Sequence, residues 1–180
     1  MRVIAGKYKG KKLVPITGKT IRPTADRTKE AIFNVLGQRI QKNKVLDLFA
    51  GTAAMGIEAL SRGAYQAVFV DHNIDIISQN IKMCALTKKA MIICCDIMKG
   101  SCFNKLKDNL FDLVFIDPPY NKAYLKTILN DKAFYNLIKD DCIIVAEHLK
   151  NEELLLDNHL LGIYRQKKYA NTMISFLNKI

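Results

Sequence analysis

The sequence predicts an α/β protein: a doubly wound, mostly parallel seven-stranded sheet with an antiparallel C-terminal hairpin, preceded by a basic N-terminal hairpin and helix. Three observations carry that expectation. From residue 45 onward, short apolar runs alternate with stretches of helical periodicity, and strands apolar on both faces, each followed by a helix, belong to a parallel sheet covered on both sides. The last two runs, 163–169 and 173–177, are joined by the turn-prone Ala170-Asn171, and strands so close in sequence pair antiparallel. The first 44 residues hold 12 Lys and Arg against Asp26 and Glu30, a net of +10 in a chain whose total is +11.

Taken in order, Val3, Ile4, Leu13 and Val14 flank Gly6, Gly10 and the turn Lys7-Tyr8-Lys9-Gly10-Lys11-Lys12, the pattern of two short strands in a hairpin. Arg22-Pro23-Thr24 then leads into a helix with Thr24 or Asp26 as N-cap. Its apolar face is Ala31, Ile32, Val35 and Leu36, and Gly37 is its stop. Strands are expected at 45–50, 67–71, 91–95, 113–116 and 143–147, with helices between them at 54–62, 74–86, 99–107 and 124–137. The chain thus divides into a basic arm, 1–40, and a body, 41–180. No internal repeat or low-complexity segment interrupts it.

Composition narrows the class. With 49% hydrophobic and 25% charged residues, the chain is neither disordered nor fibrous, and 180 residues make one domain with a small appendage. No uncharged apolar run approaches the ~18 residues of a membrane span, and Lys7 interrupts the opening stretch before it can act as a signal-peptide core. A soluble, cytoplasmic protein is expected. Five cysteines, with no CxxC pair and no metal-ligand spacing to the three histidines, read as small apolar core residues in a reducing compartment, with no metal site. Segregation of the positive charge at one end points to a nucleic-acid partner.

Two segments carry chemistry. In Asp47-Leu48-Phe49-Ala50-Gly51-Thr52-Ala53-Ala54-Met55-Gly56 a strand ends in a Gly-bounded turn that opens a helix, where a nucleotide-like ligand can approach backbone amides. Asp71 ends the next strand, 20 residues after Gly51, at the place where a carboxylate accepts ribose hydroxyls. Asp47, Gly51, Thr52, Gly56 and Asp71 are therefore the candidate cofactor contacts. Ala53 stands where a dinucleotide fingerprint wants Gly, which favours a cofactor without a pyrophosphate. The second segment, Asp117-Pro118-Pro119-Tyr120, follows the fourth strand. Its two prolines remove backbone donors and stiffen the loop. A carboxylate and a fixed carbonyl then make an acceptor-only pocket for an amino group, and Tyr120 offers a face for base stacking.

These two segments resemble the class I S-adenosylmethionine-dependent methyltransferases that act on exocyclic amino groups. Arg2-Val3-Ile4-Ala5-Gly6, Gly10-Lys11-Lys12-Leu13 and the run from Arg22-Pro23-Thr24-Ala25-Asp26-Arg27 through Phe33-Asn34 narrow the resemblance to the bacterial 16S ribosomal RNA guanine-N2 methyltransferase family. It covers essentially the whole chain. The resemblance implies S-adenosylmethionine as cofactor, ribosomal RNA or the small ribosomal subunit as partner, and Asp117, Pro118, Pro119 and Tyr120 as the catalytic segment. It further implies Asp96 near the adenine of the cofactor, and Lys7, Tyr8, Lys9, Lys11, Lys12, Arg22 and Arg27 toward RNA. Ala53 replaces the family's usual Gly and Asp71 its usual Glu. The tetrapeptide itself suits an adenine-N6 DNA methyltransferase equally well, and a non-catalytic RNA-binding assembly factor on the same fold is the alternative from another class.

Overall fold

A computed structural model describes residues 1–16, 23–99, 101–120, 123–156, 160–169 and 171–180, with side chains from Asp26 onward in the first helix. The elements run α1 (Pro23–Leu36), a short 3-10 turn (Gly37–Ile40), β1 (Lys44–Leu48), α2 (Ala54–Ser61), β2 (Gln66–Asp71), α3 (Asp75–Met83) and β3 (Ala90–Cys94). They continue with α4 (Ser101–Asn104), β4 (Phe111–Ile116), α5 (Tyr124–Leu129), α6 (Lys132–Tyr135), β5 (Ile138–Leu149), β6 (Leu161–Tyr169) and β7 (Thr172–Lys179). One seven-stranded sheet has the order β3-β2-β1-β4-β5-β7-β6. Its first five strands are parallel, and β7 pairs antiparallel with both β5 and β6.

The continuous apolar runs reflect burial of both faces. Val45, Phe69, Leu113, Phe115 and Val145 pack with Phe33, Leu36, Ile57 and Ile77 of α1–α3. The alternate residues Leu46, Val68, Val114 and Ile144 pack with Phe103, Leu125, Ile128 and Phe134 of α4–α6. Each large apolar side chain buried this way contributes roughly 1.5–3 kcal/mol. Val3 and Leu13 of the amino-terminal segment join the first of these layers.

Several local expectations are corrected. The hairpin is held by the single bridge Arg2↔Lys12, with the Val3, Gly10 and Leu13 amides donating to the Lys11, Val3 and Met1 carbonyls, and no regular strands form. Helix α1 starts at Pro23, a residue suited to a first turn because it has no N–H to satisfy. Thr24 and Asp26 therefore lie inside the helix, not ahead of it. The helix expected at 99–107 shortens to α4, after which Lys105, Leu106 and Asn109 donate to carbonyls three residues back, in tight turns. That expected at 124–137 breaks into α5 and α6. Asn130 Nδ2 donates to the Lys126 carbonyl at 2.9 Å and ends the first, while the Asp131 carboxylate accepts the Ala133 amide at 2.7 Å and starts the second. The cysteines are not all buried apolar residues: Cys95 and Cys102 form a disulfide, and Cys94 is exposed.

Edge strand β6 lies half outside the core: Ile163, Tyr164, Arg165, Gln166 and Lys168 are exposed. At the opposite edge stands β3, only five residues long.

Candidate active site

The chain runs outward from β1 to β2 and β3, then returns to the other side of β1 as β4, so the strand order reverses between β1 and β4. Ligands of open parallel sheets bind outside the carboxyl ends at such a switch point. Leu48 pairs with Ile116 there, which sets the loop after β1 beside Asp117.

That loop is built from left-handed residues: Phe49, Gly51 and Ala53 have φ of 58°, 54° and 63°. Ala53 is fully buried, and a side chain in this conformation costs about 1 kcal/mol relative to glycine. Asp71 holds the loop, since its Oδ2 accepts the Gly51 amide at 2.9 Å. Its Oδ1 accepts the Asn73 amide at 3.1 Å and lies 2.9 Å from His72 Nδ1. Gly56 has a packing role: a Cβ there would stand 2.3 Å from the Phe69 ring and 3.1 Å from Asp47 Oδ2. Only glycine lets α2 settle against β2 and deliver its amide to Asp47, at 2.8 Å. Thr52 turns its carbonyl to Asn80 Nδ2, 3.0 Å away.

Asp47 is 3% exposed. Burial pushes its carboxyl up to about 8, the Gly56 amide opposes that rise, and the neighbouring charges of Asp117 and Asp71 add to it. Carboxyl groups from β2 and from the loop after β4 therefore both act on the one that ends β1. Pro118 is buried behind Asp117, while Pro119 and Tyr120 are exposed. The Tyr120 hydroxyl donates to Glu147 Oε1 at 2.9 Å. Glu147 escaped the sequence reading because nothing local marks a residue 27 positions beyond its partner. Asp96 lies on the exposed rim past β3, its Oδ1 accepting the Met98 amide at 3.1 Å.

The basic segment docks on α2 and α3 through buried polar groups that sequence reasoning also missed. Glu58, fully buried, accepts the Ile4 and Ala5 amides at 2.7 and 2.9 Å and pairs with Arg62 at 2.8 Å and Lys29 at 3.4 Å. Lys29 Nζ also donates to the Arg2 carbonyl at 2.7 Å, and burial lowers its pKa despite Glu58 and Asp26. The Ser61 hydroxyl donates to the Ala5 carbonyl and accepts the Tyr8 amide. Asn80 exchanges hydrogen bonds with both backbone groups of Val14 while holding Thr52. Gly6, at φ 81°, fits because a Cβ would fall 1.9 Å from the Ser61 carbonyl oxygen. Lys7, Lys9, Lys11 and Lys12 remain exposed, as does Arg27, whereas Tyr8 is half-buried, with the Lys7 and Lys11 ammonium groups 5.8 and 5.5 Å from its ring. Arg22 lies outside the described residues. A separate cavity of about 390 Å³, lined by Arg39, Asp140, Asp141, Ile143, Tyr164 and Asn178, sits at the opposite end of β5. Among the described residues no cluster of three or more His, Cys, Asp or Glu is arranged to hold a metal, and no helix is long and apolar enough to cross a membrane.

The strand order, with β7 inserted antiparallel between β5 and β6, is that of the Rossmann-like methyltransferase fold. A family model described as "Conserved hypothetical protein 95" matches residues 1–178, and the chain belongs to that family. It is 37% identical over 182 residues to YlbH of Bacillus subtilis (strain 168), provisionally named an rRNA methyltransferase, with 99% of each chain covered. To the ribosomal RNA small subunit methyltransferase D of Haemophilus influenzae it is 31% identical over 182 residues, covering 95% of this chain and 94% of that one. The solved structure of yhhF from Escherichia coli, provisionally named a methyltransferase, is similar with a TM-score of 0.82 at 27% identity, over 99% of this chain and 97% of the other.

Proposed function

We propose that the chain transfers a methyl group from S-adenosylmethionine to the exocyclic N2 amino group of a guanine in 16S ribosomal RNA, acting on the RNA or on the small ribosomal subunit in the cytoplasm. The observation that carries this reading is Asp117-Pro118-Pro119-Tyr120 standing after β4, at the switch point, close enough to Asp47 to perturb it. The names of the Haemophilus and Bacillus relatives support the RNA substrate.

The site residues fit such a cofactor. Burial and the neighbouring Asp117 and Asp71 charges disfavour the ionised form of Asp47, and a cationic ligand beside it would favour that form where a neutral one does not. The cofactor supplies an electrophilic methyl group on a positively charged sulfur. Asp71 and the Gly51 loop would hold its ribose and Asp96 its adenine. Guanine N2 is a weak nucleophile because its lone pair is delocalised into the ring. By accepting the two N2 hydrogens, the Asp117 carboxylate and the Pro118 carbonyl localise that lone pair and orient it, so catalysis comes from positioning and electrostatics. A stacked base must first be turned out of its helix, and Tyr120 stacks on it once it is out. Residues 1–40 act as the RNA-holding arm, through Lys7, Tyr8, Lys9, Lys11, Lys12, Arg22 and Arg27, and residues 41–180 carry out the transfer.

The test is tritiated methyl transfer to ribosomal RNA and to isolated small subunits, followed by nuclease mapping of the labelled base. Label on guanine N2 is the expected outcome. Label on adenine, or on DNA, overturns the reading, and absence of S-adenosylmethionine binding in calorimetry would reduce the chain to a non-catalytic binder.

A further inference from the structure

Glu147 plays no part in the transfer chemistry above, yet it stands beside it. Strand β5 neighbours β4, and the pair Ile116↔Ala146 sets positions 117 and 147 side by side one residue further on. Neighbouring parallel strands lie about 4.8 Å apart, so the two acidic residues leave adjacent strand ends on the same side of the switch point. Glu147 is half-buried at the end of an unbroken buried stretch, 142–146, where packing alone favours a neutral residue. Its Oε1 accepts the Tyr120 hydroxyl, but a neutral amide would accept that hydroxyl as well. The bond explains the acceptor and leaves the charge unexplained.

We propose that Glu147 determines base specificity by receiving the N1–H of the target guanine, next to the N2 amino group held at Asp117. The assignment rests on the guanine-N2 reading. A guanine edge carries two adjacent donors, N1–H and the N2 amino group, and two adjacent carboxylates match them. Adenine carries its amino group beside a ring lone pair, which would face the Glu147 carboxylate with no hydrogen between them. A site that hydrogen-bonds a donor disfavours an analogue that presents a lone pair in its place, because the buried acceptor is then left unpaired. The Asp-Pro-Pro-Tyr segment suits either base, and Glu147 supplies the preference that the segment lacks. Its bond to Tyr120 also fixes the stacking ring relative to the group that recognises the base edge.

2-Aminopurine separates the two roles, because it keeps the 2-amino group and has no N1–H. Ribosomal RNA ligated from a synthetic segment, with guanine or 2-aminopurine at the mapped nucleotide, is assayed with the wild type, Glu147→Gln and Tyr120→Phe. The wild type should favour guanine by roughly thirtyfold in kcat/KM, the worth of one charge-assisted hydrogen bond. Glu147→Gln, which keeps an acceptor for Tyr120, should lose at least tenfold on guanine and little on 2-aminopurine, collapsing the ratio. Tyr120→Phe should slow both substrates alike. Glu147→Gln with the wild-type ratio overturns the role of Glu147 alone. A wild type that labels adenine and not guanine overturns the guanine reading and Glu147 with it. Because each ratio is taken within one protein, partial misfolding of a variant cancels.

Discussion

Glu58 and Asp47 are both buried carboxyl groups, one in the seam between the amino-terminal segment and α2, the other at the end of β1. Around Glu58 the chain supplies two backbone amides, Lys29 and Arg62. Asp47 receives one amide, from Gly56, and two more acids as neighbours. The first arrangement is complete within the protein, so it fixes structure. The second is short of donors, so its ionised form is disfavoured, and a cationic ligand beside it would favour that form. Burial alone does not distinguish the two acids, whereas the balance of donors around each does.

The contrast is tested most strongly at Asp47. Between about pH 4 and 8 the native carboxyl keeps a proton that the unfolded chain has lost, so this group lowers stability as pH rises through that window, by up to about 1.4 kcal/mol per pH unit and on the order of 5 kcal/mol in all. Asp47→Asn keeps an acceptor for Gly56 and removes the titration. Its stability relative to wild type, from urea denaturation at pH 5 to 8, should climb with pH, and a constant difference would mean that Asp47 is as well served as Glu58. Next in size, Glu58→Ala leaves Lys29 buried without its carboxylate and should cost roughly 3–5 kcal/mol. A loss below 1 kcal/mol in the same denaturation assay would dissolve the comparison from the other side. Asp117→Ala should retain the fold and cofactor binding while slowing methyl transfer by about 3 kcal/mol in the barrier, a hundredfold or more. Near-normal single-turnover rates would remove Asp117 from the chemistry. The smallest effect is expected at the hairpin tip. If about six cations of the arm touch single-stranded phosphates, the log-log salt slope of RNA affinity is roughly −4. Replacing Lys7, Lys9, Lys11 and Lys12 by Gln should flatten it by about 3 with cofactor affinity unchanged in calorimetry, and an unaltered slope would leave those lysines as solvated surface.

The central strands were legible because both of their faces are buried, which writes each as an apolar run such as Val45-Leu46 or Leu113-Val114-Phe115-Ile116, and the last two strands because a short turn-prone link joins them. The Asp117-Pro118-Pro119-Tyr120 segment stood out because its four residues are consecutive, although Asp47 and Glu147, which it meets in space, are far away in sequence. The break between α5 and α6 was hidden: apolar spacing continues across Asn130 and Asp131, although these two are the kinds of residue that end and start helices. The docking seam was not legible at all, since Glu58, Ser61 and Asn80 meet partners more than 50 positions away and a glutamate on a helix ordinarily faces water. Glu147, 27 positions from Tyr120, and the Cys95–Cys102 pair, only seven apart, were missed because no residue pattern around them marks the contact.

Strand β6 has one further consequence. An open sheet edge is a row of unpaired backbone groups that can template growth by a second copy. Here the edge carries Arg165, Lys167 and Lys168 within four residues, so two such edges meeting bring like charges together. Opposite it, β3 offers only five residues to pair with. The protection on β6 is electrostatic, and a Debye length that shrinks from about 10 Å at 0.1 M salt to 3 Å at 1 M weakens it. Colloidal stability should therefore fall with ionic strength, and the chain should stay dispersed at high concentration only while its edge lysines and arginine remain unscreened.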